Sequence, residues 1–201
     1  MRSDADSNID VQGASNALNQ LLNRYSVGPK YLVDPAPTVD QILIAASAAL
    51  RAPDRHNLQP FRFILIPDAQ RQKLAELYAD CARRNGKSTD EIATERERAL
   101  RGPALLAFVT HIEPEEQRVV AREQWIAAGG ALANFLTALH MMGFGAKVLS
   151  GNKAADPVIC KAFCEEGETL VGWIATGTAT KAPHPRESDN PSSILRNWAP
   201  D

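Results

Sequence analysis

The 201-residue sequence predicts one domain of the α+β class, built in three layers. Three observations lead there. Helical and extended segments follow in the order helix, helix, strand, helix, helix, strand, long helix, strand, helix, strand, without the steady strand–helix alternation of a doubly wound sheet. The run Ala104-Leu-Leu-Ala-Phe-Val-Thr-His111 is apolar on both sides, as a central strand must be. The stretch Ile126 to Met142 has almost no polar face, so it belongs in the middle of something.

Each element has its own signal. Residues 1–13 are polar, lack the apolar segment of a signal peptide, and read as a flexible N-terminal tail before a domain spanning 14–180. Leu18, Leu21 and Leu22 recur at helical spacing, giving a helix over about 14–24 that Gly28 and Pro29 break. Pro35 and Pro37 keep the next connector extended. Thr38-Val-Asp-Gln41 fits a capping box, and the helix that follows is apolar nearly all round, hence buried, until Pro53 stops it. Phe61–Ile66 is a strand, and Asp68 is expected to cap a helix holding Leu74, Leu77 and Tyr78. Ser88-Thr-Asp-Glu91 is a second capping box, opening a charged surface helix that ends at Leu100. The longest helix is expected over about 115–142, with Gly129, Gly130 and Ala131 permitting close backbone approach. Gly143-Phe-Gly145 ends it, Ala146–Leu149 is a short strand, Asp156–Phe163 a helix, and Thr169–Thr176 the last strong strand. Residues 181–201 form a polar C-terminal arm whose Ile194, Leu195 and Trp198 would be useful buried on another subunit.

A net charge of −2 gives no global pull toward nucleic acid. Cys81, Cys160 and Cys164 are an odd set without a second pair for a tetrahedral metal site, and read as reduced thiols in a cytoplasmic protein. No stretch approaches the roughly 18 apolar residues of a membrane span.

Four places concentrate chemistry. Asn23-Arg24-Tyr25-Ser26, followed by Lys30, sets an Arg fork, a hydroxyl and an ammonium at a helix end, which suits a phosphate or equally a helix C-terminus with favourable cations. The turn from Arg51 to Gln59 crowds Arg51, Asp54, Arg55, His56, Asn57 and Gln59 between two buried elements. Asn57 and Gln59 each offer donor and acceptor, as the edge of a heterocycle requires, although a plain polar loop reads the same way. In Gly143–Gly151, two glycines let backbone approach a ligand, or only end a helix. Lys181–Arg186 is a Pro-stiffened loop in which Arg186 could clamp an anion or be solvated. No Gly-x-Gly-x-x-Gly, Walker or Gly-x-Ser-x-Gly motif occurs, and no triad is recognisable by spacing, so the hard chemistry of an enzyme here belongs to a cofactor.

In order, Arg-x-Ser, Arg51-Ala-Pro-x-x-x-Asn57-x-Gln59-Pro-Phe61-x-Phe63, a long apolar helix ending Gly-Phe-Gly, and a Gly-Thr in the last strand resemble the FMN-dependent nitroreductase family, and within it the short NAD(P)H nitroreductases, over residues 15–190. The resemblance implies a three-layer α/β/α fold with a mostly antiparallel sheet. It also implies an intertwined homodimer with two FMN molecules, each held by both subunits. It places Arg24, Tyr25 and Ser26 at the FMN phosphate and ribityl chain. Arg51, Arg55, Asn57 and Gln59 fall on a turn that contacts phosphate and ring from one subunit, and Val148, Leu149 and Ser150 on a segment from the other. Arg186 matches a late basic residue that reaches the phosphate, and residues 138–143 a nicotinamide contact. Tyr25 replaces a second Arg, Val148-Leu149-Ser150 a Trp-Arg-Ser, and Phe61 a Trp, while Gly28-Pro29 is a short insertion before Lys30. Each lost basic group would weaken a buried phosphate contact by about 1–3 kcal/mol, with Lys30, Arg55 or Lys147 available to compensate.

The implied reaction is ping-pong: NADH or NADPH gives a hydride to the flavin and leaves, and a flat small-molecule acceptor such as a nitroaromatic, quinone or enone takes the electrons. Two alternatives keep the fold, a flavin-binding member without turnover and a flavin-consuming or dehalogenating relative. No nucleic-acid or membrane partner is expected.

Overall fold

The computed structural model describes residues 16–181 and 190–199. Its elements are α1 (Asn16–Leu22), β1 (Leu32–Val33), α2 (Val39–Ala49), β2 (Phe61–Leu65), α3 (Asp68–Arg84), α4 (Thr89–Leu100), β3 (Ala104–His111), α5 (Ala121–Met141), β4 (Gly145–Leu149), α6 (Pro157–Phe163) and β5 (Glu168–Ala179). The order matches the sequence reading except for β1, which is too short to announce itself.

Strand β5 organises the sheet. It pairs antiparallel with β3, β4 and β1, and β3 pairs antiparallel with β2, so β3 is interior as expected. Because side chains alternate across a strand, the two inner strands feed two cores. Leu105, Ala107 and Val109 of β3, with Trp173 and Ala175 of β5, pack under α3, α4 and α6. Leu106, Phe108 and Ile174 point the other way, into α2 and α5. Those are the three layers.

Both capping boxes form: Thr38 and Gln41 satisfy each other's backbone N–H, as do Ser88 and Glu91. Three expectations change. Asp68 lies inside α3, whose N-cap position is Pro67, because the strand runs straight into a proline that presets the first turn. The long helix starts at Ala121, since residues 115–120 form turns in which the buried Gln124 side chain hydrogen-bonds Glu113 and Val119 instead of continuing the helix. Finally, α2 and α5 are not buried all round. Ile42, Ala45 and Ala49 of α2 face the core, while Leu43 and Ile44 are each 58% exposed and Ile126 of α5 is 61% exposed. The apolar outer faces exceed what one chain can cover.

Arg62 of β2 ties the far edge of the sheet to the start of β5. Its Nε and Nη2 donate to both Glu168 oxygens, at 2.6 and 2.5 Å, and Nη2 also donates to the Phe163 carbonyl at 2.9 Å. That hydrogen bonding holds the Glu168 carboxyl below the ordinary glutamate value of 4.5. A carboxylate whose folded value is depressed stabilises the fold above its unfolded value and loses that contribution as pH falls through the folded one. Melting temperature should therefore drop more steeply below pH 4.5 in the wild type than in Glu168→Gln. Above that pH the variant should be less stable by about 1–2 kcal/mol, a figure discounted because Arg62 is partly solvated. Parallel pH curves for the two proteins would refute the linkage.

Candidate functional site

The turn that follows α2 is strained. His56, Asn57 and Gln59 have φ of 62°, 52° and 49°, the left-handed region that side-chain-bearing residues avoid at a cost of about 1 kcal/mol or more each. Asp54 holds it. Its carboxylate accepts the N–H groups of Leu58 at 3.3 Å and Gln59 at 2.7 Å, and its carbonyl accepts that of Asn57 at 3.2 Å. The side chains of Arg51, Arg55, His56, Asn57 and Gln59 are all left exposed. Residues kept in costly backbone conformations while presenting polar groups to solvent are the usual mark of a ligand clamp. The turn sits beside the first part of α5, where Arg55 Nη1 lies 3.6 Å from Glu123 Oε2.

The Arg24-Tyr25-Ser26 segment lies elsewhere. Leaving α1, it runs alongside β4, with Ser26 bridged to Ala146 in parallel and the Val27 N–H donating to the Ala146 carbonyl at 3.0 Å. The Tyr25 hydroxyl donates to the Lys181 carbonyl at 3.0 Å, and its ring meets His140 edge-on at 6.2 Å. Tyr25, His140, Gly143 and Phe144 line a small cavity of about 210 Å³. Inside this cluster the His140 Nε2 atom is buried without a hydrogen-bond partner. Burial, then the charge of Arg24, hold its imidazole below the ordinary histidine value. A neutral, orphaned imidazole next to an arginine is poised to hydrogen-bond an incoming anionic group. The sequence reading reached His140 only as one of residues 138–143, which the resemblance places at a nicotinamide contact, and nothing there singled it out.

On β4, Val148 packs against the α2/α5 core and Leu149 against the other, while Ser150 emerges exposed. The glycines expected to admit a ligand do structural work. Gly143, at φ 89°, is the left-handed stop of α5, and Gly145 is closely packed against Leu32, Val27 and Ala179. Residues 138–143 border the His140 cavity through His140 and Gly143. Arg186 lies outside the described residues.

The expected binding residues thus fall into two groups within one protomer. Arg24, Tyr25 and Ser26 join the start of β4 near the C-terminal end of α5. Arg51, Arg55, Asn57 and Gln59 cluster near its N-terminal end. Glu123 and His140 mark those ends, and at about 1.5 Å of rise per residue they stand about 25 Å apart. One nucleotide cannot be gripped by both groups of the same chain.

The residues fit such a cofactor. Arg24 with the orphaned His140 nitrogen suits a phosphate, and exposed Asn57 and Gln59 amides suit a heterocycle edge. Among the described residues, no cluster of His, Cys, Asp or Glu could hold a metal ion, and no helix is long and apolar enough to cross a membrane.

The family model described as "Nitroreductase family" matches residues 21–178. The Escherichia coli (strain K12) protein named "Putative NAD(P)H nitroreductase YdjA" is 32% identical over 164 residues, covering 81% of this chain and 88% of that one. The structure of a nitroreductase-like family protein from Bacillus cereus superposes with a TM-score of 0.76 at 21% identity, over 92% of this chain and 96% of the other. A Desulfovibrio desulfuricans "putative nitroreductase in complex with fmn" superposes with a TM-score of 0.68 at 21% identity, over 92% and 99% of the two chains.

Proposed function

The chain belongs to the nitroreductase family, and we propose that it is an FMN-dependent NAD(P)H oxidoreductase working as a cytoplasmic homodimer with two shared cofactor sites. The observation that carries this reading is the separation of its two polar groups by the length of α5. It makes sense only if Arg24, Tyr25, Ser26, Val148, Leu149 and Ser150 of one subunit complete a crevice with Arg51, Arg55, Asn57 and Gln59 of the other. The exposed apolar faces of α2 and α5, and the exposed Ile194, Leu195 and Trp198 of the arm, supply surface for that association. Arg186 would add a further cation at the phosphate.

FMN held in that crevice would supply acceptance and donation of hydride, with NADH or NADPH as donor and a flat nitroaromatic, quinone or enone as acceptor in ping-pong order. The protein's share is to hold and orient. Arg24 and the His140 imidazole meet the phosphate, while the strained turn, fixed by Asp54, aims Asn57 and Gln59 at the ring edge without further loss of freedom on binding.

The test is spectroscopic. The purified protein should carry a flavin absorbance that bleaches when NADH or NADPH is added without oxygen. Protein that takes up no FMN defeats the proposal, and so does a flavin-loaded monomer in sedimentation. A second reading, flavin binding without turnover, is favoured by Val148 and Leu149, apolar side chains packed against the two cores that bring no charged group to the cofactor. It predicts bound flavin that stays oxidised. Arg51→Ala and Arg55→Ala should each weaken FMN retention about 5- to 30-fold, as expected for loss of about 1–2 kcal/mol of charge-assisted hydrogen bonding. The deficit should narrow as salt is raised, because salt already screens the wild-type contact. Equal retention by wild type and both variants would mean the turn does not touch the cofactor.

A further inference from the structure

On the side of the sheet away from α2 and α5, a cleft of about 380 Å³ opens between β4, β5, the middle of α3 and the C-terminal end of α4. Its floor is apolar and aromatic: Tyr78, Leu105 and Trp173 are at most 5% exposed, and Leu149 closes one side. Its rim is basic, formed by Lys30, Arg98, Arg101, Lys147 and Lys153. Carboxylates answer these charges incompletely. Glu95 pairs with both Lys153, at 2.5 Å, and Arg98, while Glu97 lies 3.8 Å from Arg101. Five cations therefore face two carboxylates.

Two features make this more than a chance gathering of surface charge. Trp173, flooring the cleft, has a buried indole N–H with no partner, and an unmade hydrogen bond of that kind costs about 1–3 kcal/mol. Such a donor wants an acceptor. The rim is also braced from behind by Arg71, itself only 6% exposed. Its guanidinium donates to the carbonyls of Ala99 at 2.9 Å, Arg101 at 3.0 Å and Gly102 at 3.2 Å. Those bonds neutralise the negative end of α4, which would otherwise repel an anion. On the opposite rim, the Gly28-Pro29 insertion forms a short 3-10 turn, Pro29–Tyr31, that sets Lys30 over the Tyr31 ring at 4.8 Å.

We propose that this cleft is a second ligand site, adjoining the shared crevice at Leu149 and Ser150 but distinct from it, that takes a small aromatic anion: the ring on Tyr78, Leu105 and Trp173, the acid group among Lys147, Arg101 and Lys30. It could hold an aromatic acid that the enzyme handles or one that modulates it. The assignment stands on this chain's own side chains and does not depend on flavin being bound.

Calorimetric titration of the purified protein with salicylate, and separately with inorganic phosphate, tests it. Salicylate should bind saturably and more weakly as sodium chloride is raised. The double variant Lys147→Ala/Arg101→Ala should weaken that binding at least fivefold, whereas Lys161→Ala, loss of one positive charge at an exposed position of α6, should leave it unchanged. Circular dichroism confirms that the double variant is folded. Absence of saturable salicylate binding overturns the proposal, as does equal affinity in the double variant. Binding of phosphate but not salicylate would overturn the aromatic assignment. Displacement of salicylate by FMN would make the cleft the flavin's own and overturn a separate site. Because the readout is heat and not turnover, failure here leaves the oxidoreductase reading untouched, and failure of that reading leaves this one standing.

Discussion

Replacing Phe135 by alanine is expected to lower the unfolding free energy by about 3–5 kcal/mol, enough to unfold much of a marginally stable domain. The ring is fully buried and stacks on Phe63 at 4.2 Å and 17°, and Phe63 lies 5.0 Å from Phe108. This aromatic column pins α5 to β2 and β3. The same core includes Ala45, Ala49, Ala128 and Ala131, whose short side chains cannot lean in to refill the space. Most of the cavity should persist, which puts the cost at the upper end of the range. Because α5 carries His140 at one end and adjoins the Arg55 turn at the other, flavin retention should fall with stability. Chemical denaturation reads the effect as a shift in midpoint at unchanged slope. A loss under about 1 kcal/mol would mean that the layer is held by something other than this column.

Gly172→Ala should do comparable harm from the opposite cause, an atom too many. A β-carbon there would lie 2.4 Å from the Leu149 carbonyl oxygen and 3.3 Å from the Ser150 α-carbon, and both are backbone. Neither can swing aside as a side-chain tip would. The site is also a bulge: Phe108 faces Gly172 and the next residue, Val109, faces Leu170, leaving Val171 extra on β5. Overpacking of this kind costs about 1–3 kcal/mol, and here it must push β4 outward. The segment that moves is Val148–Ser150, so flavin retention should drop out of proportion to the change in melting temperature. A variant that melts like the wild type and keeps its flavin would show that β4 has slack at this point.

Much of the architecture is legible in the residues because its signals are local. Thr38…Gln41 and Ser88…Glu91 close capping boxes within four residues, and β3 betrays its interior position by an unbroken apolar run. The Arg-Ala-Pro…Gln-Pro-Phe-Arg-Phe string carries the family resemblance without any knowledge of packing. Other features depend on neighbours far along the chain. The two-residue β1 exists because Leu32 and Val33 find Ala179 and Thr178. The start of α5 is deferred because Gln124 spends its amide on Glu113 and Val119. The basic rim of the aromatic cleft collects lysines and arginines from residues 30 to 153, which no spacing rule could gather.

The sequence by itself determined the order of elements, the polar character of the Arg51–Gln59 turn, and the want of a nucleophile that points to borrowed chemistry, since residue type, short-range hydrogen bonding and hydrophobic period decide these things. Only the tertiary structure decided that Arg24 and Arg55 stand at opposite ends of α5, that His140 and Trp173 each bury an unsatisfied nitrogen, and that α2 and α5 keep apolar faces uncovered. Those are properties of distance and enclosure. They arise when a chain closes on itself, and no local pattern of side chains encodes them.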